Sequence, residues 1–308
     1  MAHILKQSGI LLLEVLLTVF FIVAFMGLFF GLIFPMLSTP MSETQEAGVI
    51  SEDPYEMLLL TYIPVSIITV AVTWCIHRFI FKRDHKRLGY RFSGLFVQLG
   101  IGVLWGSLLV IVGFLLLLVT DQIDILATEL NAYLLFGFLA MFIFQSFSEE
   151  VIFRSYLIPT IERRLGTWSA LIISSILFAM LHLGNVGISW VGVSNLVLGG
   201  VLMGLLFIRY RNIWAPTGMH FAWNYVQSTV LGFEVSGYKV YSYFSIQDKG
   251  ADLWTGGDFG YEGSLVAVIF LSVACYFLWK DSPKLRQEFK AMKGVIAEEK
   301  LSYDDTLA

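Results

Sequence analysis

Charge is what this sequence has least of. Asp, Glu, Lys and Arg make up 14% of its 308 residues, against about 25% in soluble domains. With 57% of the side chains hydrophobic and a mean hydropathy of +0.74, too little polar surface remains to cover a soluble globule, whereas lipid removes the need for cover. The net charge is −4 and no Lys/Arg-rich tract lies beside exposed aromatics, which excludes nucleic acid as a partner. Cysteine is nearly missing. Cys75 and Cys275 each stand in an apolar run and read as small buried hydrophobes, not as a disulfide framework or metal site. No small-residue cleavage site follows the first apolar run, which is also too long for a signal-peptide core, so it reads as a retained first span. No repeat of fixed period is present.

What is abundant is long apolar stretches, at 10–37, 57–80, 93–119, 131–157, 168–183, 191–208, 213–235 and 263–279. About 20 apolar residues cross the hydrocarbon core as a helix, and the shorter runs are accommodated by packing or local thinning. The expected fold is therefore all-α: a polytopic membrane bundle over 1–280 of about eight transmembrane helices, with a charged cytoplasmic tail at 281–308 that is suited to an interfacial helix. Placing both termini inside puts 18 of the 20 Lys and Arg residues on the inner side and leaves only Lys239 and Lys249 outside. This is the partition that basic residues favour, and an odd number of spans would break it. The expected outer loops are acidic or neutral: the first holds Glu43, Glu46, Glu52, Asp53 and Glu56, and the last, 236–263, is rich in Gly and Tyr.

Against this background a few polar residues stand where they are expensive, since a charge at the bilayer centre costs about 2.5–3.5 kcal/mol. The fourth run contains Ser148-Glu149-Glu150 followed by Arg154. Glu150 and Arg154 are four apart and share a helix face, so they can pair; Glu149 points about 100° away and is free for other work. The fifth run ends on Phe178-Ala-Met-Leu-His182, and the seventh contains His220-Phe-Ala-Trp-Asn224, one turn apart on one face. At about 1.5 Å per residue, Glu149 and His182 each lie about 21 Å from the turn between them, and Asn224 about 18 Å from its own inner turn. Three helices thus carry their polar residues to similar depth. Gly199, Gly200 and Gly204 give the sixth helix a small face for close packing. Glu14 is a further buried acid, either interfacial or the partner of a buried base.

The ordered set Glu149-Glu150-x-x-x-Arg154, Phe178-x-x-x-His182 and His220-x-x-x-Asn224 resembles the CPBP family, which contains the Ras-converting-enzyme type CAAX proteases and the bacterial Abi proteins linked to bacteriocin processing and immunity. Gly199-Gly200-x-x-x-Gly204 and Asn212-Ile-Trp214-Ala-Pro216 are similar to the family between its second and third motifs. The resemblance covers roughly residues 144–230. Ser155 departs from it, since many members carry Gly after the arginine.

The resemblance implies a glutamate-dependent intramembrane endopeptidase, a multi-pass membrane protein (of the cell membrane in a bacterium). Its core lies within 131–235, and it acts on a peptide or protein tail, lipidated in some members, that enters from the membrane or its cytoplasmic face. In that reading Glu149 and His182 activate water, His220 and Asn224 stabilise the oxyanion, and Glu150 with Arg154 orients them. No cofactor is favoured. A zinc version uses Glu149, His182 and His220 as ligands and Glu150 as base, and sequence leaves both open. Two other classes share these residues: a proton-coupled carrier, in which the acids and histidines relay protons, and a non-catalytic immunity or scaffold protein. The topology is directly testable. A reporter fused after Arg83 should register in the cytoplasm and one after Lys249 outside; both on one face would sink the eight-span arrangement.

Overall fold

The computed structural model describes residues 9, 10, 12–18, 20, 21, 24, 54–82, 88–283, 285–289 and 291. Most of the first apolar run, Glu43, Glu46, Glu52, Asp53, Lys6, Arg83, Lys86, Arg87, Lys284, Lys290 and the tail beyond 291 lie outside the described residues. The principal helices are α1 (Pro54–Cys75), α2 (Leu95–Val119), α3 (Ala132–Glu150), α4 (Ile158–Leu181), α5 (Trp190–Tyr210), α6 (Trp214–Tyr225), the short α7 (Asp252–Thr255) and α8 (Leu265–Lys280). Side-chain caps fix where three of them start. Asn131 accepts from the Leu134 amide, Ser189 from Gly192 and Ser264 from Ala267, each satisfying an N-terminal donor that helix geometry orphans.

Among the described residues, four helical stretches are long and apolar enough to cross a membrane: Tyr55–Ile80, Leu95–Val119, Ala132–Leu181 and Trp190–Tyr210; Leu265–Lys280 is a shorter apolar helix. The chain is thus a mostly helical, multi-pass membrane protein. Ala132–Leu181 has 50 residues, and as one rod it would run about 75 Å, more than twice the hydrocarbon core. Gly166 breaks it, with φ 83° and ψ 170°, a conformation that a residue with a Cβ rarely adopts. The break falls where the sequence places a turn.

Helices α2 and α6 run parallel and touch backbone to backbone. A Cβ on Gly102 would lie 2.0 Å from the Ala215 carbonyl oxygen, one on Gly106 2.4 Å from that of Met219, and one on Gly218 2.3 Å from that of Leu99. Gly102-x-x-x-Gly106 is therefore a close seam of the bundle, in the small-x-x-x-small pattern that lets helices approach in lipid. On α5 the expectation holds in part. Gly200 meets Ser175 and Gly204 meets Leu171 of α4, whereas Gly199 has only Met203 within reach and lines a cavity instead.

The all-α expectation needs a correction. Two strands, β1 (Ile123–Thr128) and β2 (Phe244–Asp248), pair antiparallel from Ile123↔Asp248 to Thr128↔Phe244, with an irregularity between Ile125 and Ala127. Ile123, Ile125 and Thr128 are β-branched residues that suit a pleated, half-exposed ladder. The Tyr241 hydroxyl, accepting from the Asn131 amide and donating to the Glu129 carbonyl, pins this cap to the start of α3. At the other end of the bundle, Glu14 proves to be the partner of a base: its Oε1 accepts from Arg164 at 2.8 Å. Leu285 is fully buried, and its carbonyl accepts from the Trp168 indole, so the start of the tail docks on α4. Both cysteines are free. Cys275 is buried as expected, but Cys75 is exposed on an outer helix face.

Candidate active site

Three helix ends build the polar cluster. Glu149 and Glu150 close α3, and the chain then widens into a π-helical turn, Val151–Leu157, that carries Arg154. π-turns are rare and recur at functional sites; a second one, Val226–Val230, follows Asn224. The Glu150 carboxylate is fully buried. Its Oε1 accepts from the Arg154 guanidinium at 2.9 Å and from His220 Nδ1 at 2.9 Å. Arg154, itself 1% exposed, donates its other terminal nitrogen to the Gly200 carbonyl at 3.2 Å and lies over the Phe178 ring at 4.8 Å. The charge is thus paired, hydrogen-bonded and faced by a π system.

Because Nδ1 of His220 is spent on Glu150, its Nε2 turns to Glu149, 3.8 Å from Oε2. The other Glu149 oxygen accepts from the Gln145 amide, and the Gln145 oxygen in turn accepts from Asn224 Nδ2 at 3.1 Å. Glu149 Oε2 is buried and has no hydrogen-bond partner. His182 follows the last residue of α4, where its Nδ1 donates to the Phe178 carbonyl at 2.8 Å. A carbonyl is only an acceptor, so the Nδ1–H tautomer is required and a neutral His182 keeps a lone pair on Nε2. The Phe178 ring stands between the two histidines, at 4.8 Å from His182 and 5.8 Å from His220.

Two cavities meet here. One, of about 50 Å³, is lined by His220 and Glu262; the other, of about 380 Å³, by Glu149, Tyr62 and Tyr238. Gln145, His182, Asn224 and Ser236 line both. The smaller cavity exceeds the roughly 10–15 Å³ that one water needs. All six polar residues singled out in the sequence therefore gather around one region. Glu149, Glu150, Arg154 and His220 are joined by direct contacts, Asn224 joins through Gln145, and His182 through Phe178 and the shared cavities.

Residues 131–226 match the family described as Type II CAAX prenyl endopeptidase Rce1-like. This stretch is similar to that family. It is about a third of the chain and contains all six residues. No curated protein and no solved structure matches the chain. The matched family implies a peptidase, and the burial of Glu150 and His220 is consistent with a catalytic site.

Sequence reasoning missed two members of the polar cluster. Gln145 bridges Glu149 to Asn224, and its one signal was an amide a turn before Glu149 on the same face. Glu262 lies outside the matched stretch. Its carboxylate accepts from Trp223, Gln227, and the Ser236 amide and hydroxyl, while its carbonyl accepts from Asn195. It thereby ties the cap to α5 and α6, and nothing in its Gly-rich surroundings announced this. Among the described residues no three His, Cys, Asp or Glu side chains converge as metal ligands; Nδ1 of His182 and of His220 is engaged by a protein oxygen, and Nε2 is the nitrogen each turns to the site.

The two glutamates should separate by experiment. Glu149→Gln keeps the Gln145 contact but cannot accept a proton from water, so it should abolish peptide turnover with an unchanged melting temperature in detergent. Glu150→Gln weakens the hold on Arg154 and His220 at once, and breaking such a buried pair costs about 3–5 kcal/mol, so that variant should lose stability and activity together. Arg154→Ala should share the stability loss, and the double variant should lose less than the two singles combined. A stable, inactive Glu150→Gln beside an active Glu149→Gln would reverse the roles.

Proposed function

We propose that the chain is an intramembrane endopeptidase that hydrolyses a peptide bond near the C-terminus of a membrane-associated, lipidated peptide or protein, using a water activated by Glu149 and His182. The observation that carries this reading is the buried, unpartnered Glu149 Oε2 on the larger cavity. Water donating one hydrogen to Oε2 and the other to His182 Nε2 would present a lone pair to a carbonyl carbon in the cavity. As the C–O bond forms, one proton passes to Glu149 and the carbonyl electrons move onto oxygen, where His220 Nε2–H and Asn224 Nδ2–H stabilise the oxyanion. Collapse breaks the C–N bond, and the proton held by Glu149 goes to the leaving amine. Two carboxylates and one guanidinium leave the cluster one positive charge short of balance, and a second proton on His220 supplies it. Glu150 and Arg154 position His220 and touch no substrate.

The reading extends to placement. The chain crosses the membrane eight times with both termini in the cytoplasm, and the end of the bundle bearing Arg91, Arg163, Arg164 and Arg211 faces inward. The peptide enters laterally or from that face, and its lipid stays among the apolar helices. No step passes through a metal.

Purified protein in lipid nanodiscs with a prenylated C-terminal peptide tests the proposal. Wild type should cleave it, with or without a strong chelator. Asn224→Ala should lose about 10²–10³ in kcat, the usual cost of one oxyanion donor. Loss of activity in chelator that zinc restores would overturn the metal-free mechanism. Substrate-independent proton uptake without any cleavage would instead support a carrier.

A further inference from the structure

A cavity of about 860 Å³ lies away from the catalytic cluster and shares no lining residue with either site cavity. Five cations line it, Lys82, Arg91, Arg163, Arg164 and Arg211, against the carboxylates of Glu14 and Glu162. Those acids are committed: Glu14 accepts from Arg164 at 2.8 Å, and Glu162 takes both terminal nitrogens of Arg211 at 2.6 and 2.8 Å. The lining carries three more positive than negative charges, with the Thr160 hydroxyl beside them.

The preference of basic residues for one membrane face explains charges scattered over loops. It does not explain why four separate stretches of chain (the segment after α1, the segment before α2, the start of α4 and the residue after α5) bring theirs around one cavity. Nor does it explain the backbone. Lys82 and Arg211 both have φ 49°, and they are two of the four non-glycine residues with positive φ among the described residues. Such positions usually take glycine, and strain of this kind gathers at ligand sites. Here the strained positions hold the basic side chains that face the cavity.

We propose that this cavity binds a phosphate-bearing anion, held by Lys82 and Arg91 with the paired arginines behind them. Guanidinium and ammonium groups around a concave space are the chemistry that recognises phosphate. An anionic lipid headgroup and a soluble phosphate compound offer the same chemistry; with this end of the bundle facing inward, the lipid is the nearer source. The inference is independent of the peptidase reading, because neither residue touches the catalytic cluster.

Titration of the full-length protein in neutral detergent with short-chain phosphatidylglycerol, with pyrophosphate and with short-chain phosphatidylcholine, followed by thermal unfolding, tests it. Phosphatidylglycerol or pyrophosphate should raise the melting temperature of the wild type, and phosphatidylcholine should not. Arg91 serves the fold through its carbonyl, which accepts from Asn212 and Trp214, so Arg91→Gln should fold and bind about tenfold more weakly. Lys82→Gln should act the same way, and Lys249→Gln, at the far end, should bind as wild type does. A response to phosphatidylglycerol alone assigns a lipid headgroup, and a response to pyrophosphate alone assigns a soluble ligand. A wild type indifferent to both, or equal binding by wild type and the Arg91 and Lys82 variants, would overturn the site.

Discussion

The Glu150 carboxylate, shared between Arg154 and His220, is the contact on which the rest of the site depends. It lies where no water competes, so the attraction is strong, but the cost of stripping three ionisable groups of solvent is also high. The surroundings offset part of that cost, though Glu150 Oε2 and Arg154 Nε stay without a hydrogen-bond partner. Gly200 lends a carbonyl to the guanidinium, Phe178 lends a ring face, and both glutamates flank the imidazole. A Cβ on Gly200 would come within 2.9 Å of Ser175, so the same glycine that brings α5 against α4 also brings its carbonyl to Arg154. Helix packing and site electrostatics are here one constraint.

From this contact follows a division between the two adjacent acids. Glu150 is held from two sides and turned into the bundle. Glu149, about 100° round the helix, is steadied by Gln145 on one oxygen and keeps the other toward the cavity. The π-turn after Glu150 and the cap at His182 serve the same geometry. Each is a place where helix regularity fails and a polar group gains a direction that a straight helix would not give it. Glu262 and Tyr241 extend the constraint outward by fastening the cap to α5, α6 and the start of α3.

Much of this was legible in the residues, because the signals were local. Glu150–Arg154 is an i,i+4 pair, His220 and Asn224 share a face, and a charge inside an apolar run stands out on cost alone. The turn near Gly166 was legible from length. What escaped were contacts between residues far apart in the chain. Glu262 meets Trp223 and Gln227 across the cap, Gln145 reads as a lone amide until Asn224 is placed beside it, and Glu14 had no assigned partner until Arg164 arrived. The strands were hidden because IDILAT is short and follows a long apolar helix. The Gly102-x-x-x-Gly106 pattern was present, but glycine in an apolar run announces close packing without saying against what.

The central claim, that Glu150 fixes the orientation of His220 and so leaves Nε2 facing Glu149, is tested most directly by nitrogen NMR of the imidazoles. The chain has 5 histidines, and a His220→Gln variant identifies the resonance that matters. In the wild type the His220 Nδ1 proton should be observed in a strong hydrogen bond to carboxylate. It should persist in Glu149→Gln and vanish or move sharply in Glu150→Ala. An Nδ1 without a proton, or one indifferent to the loss of Glu150, would contradict the account.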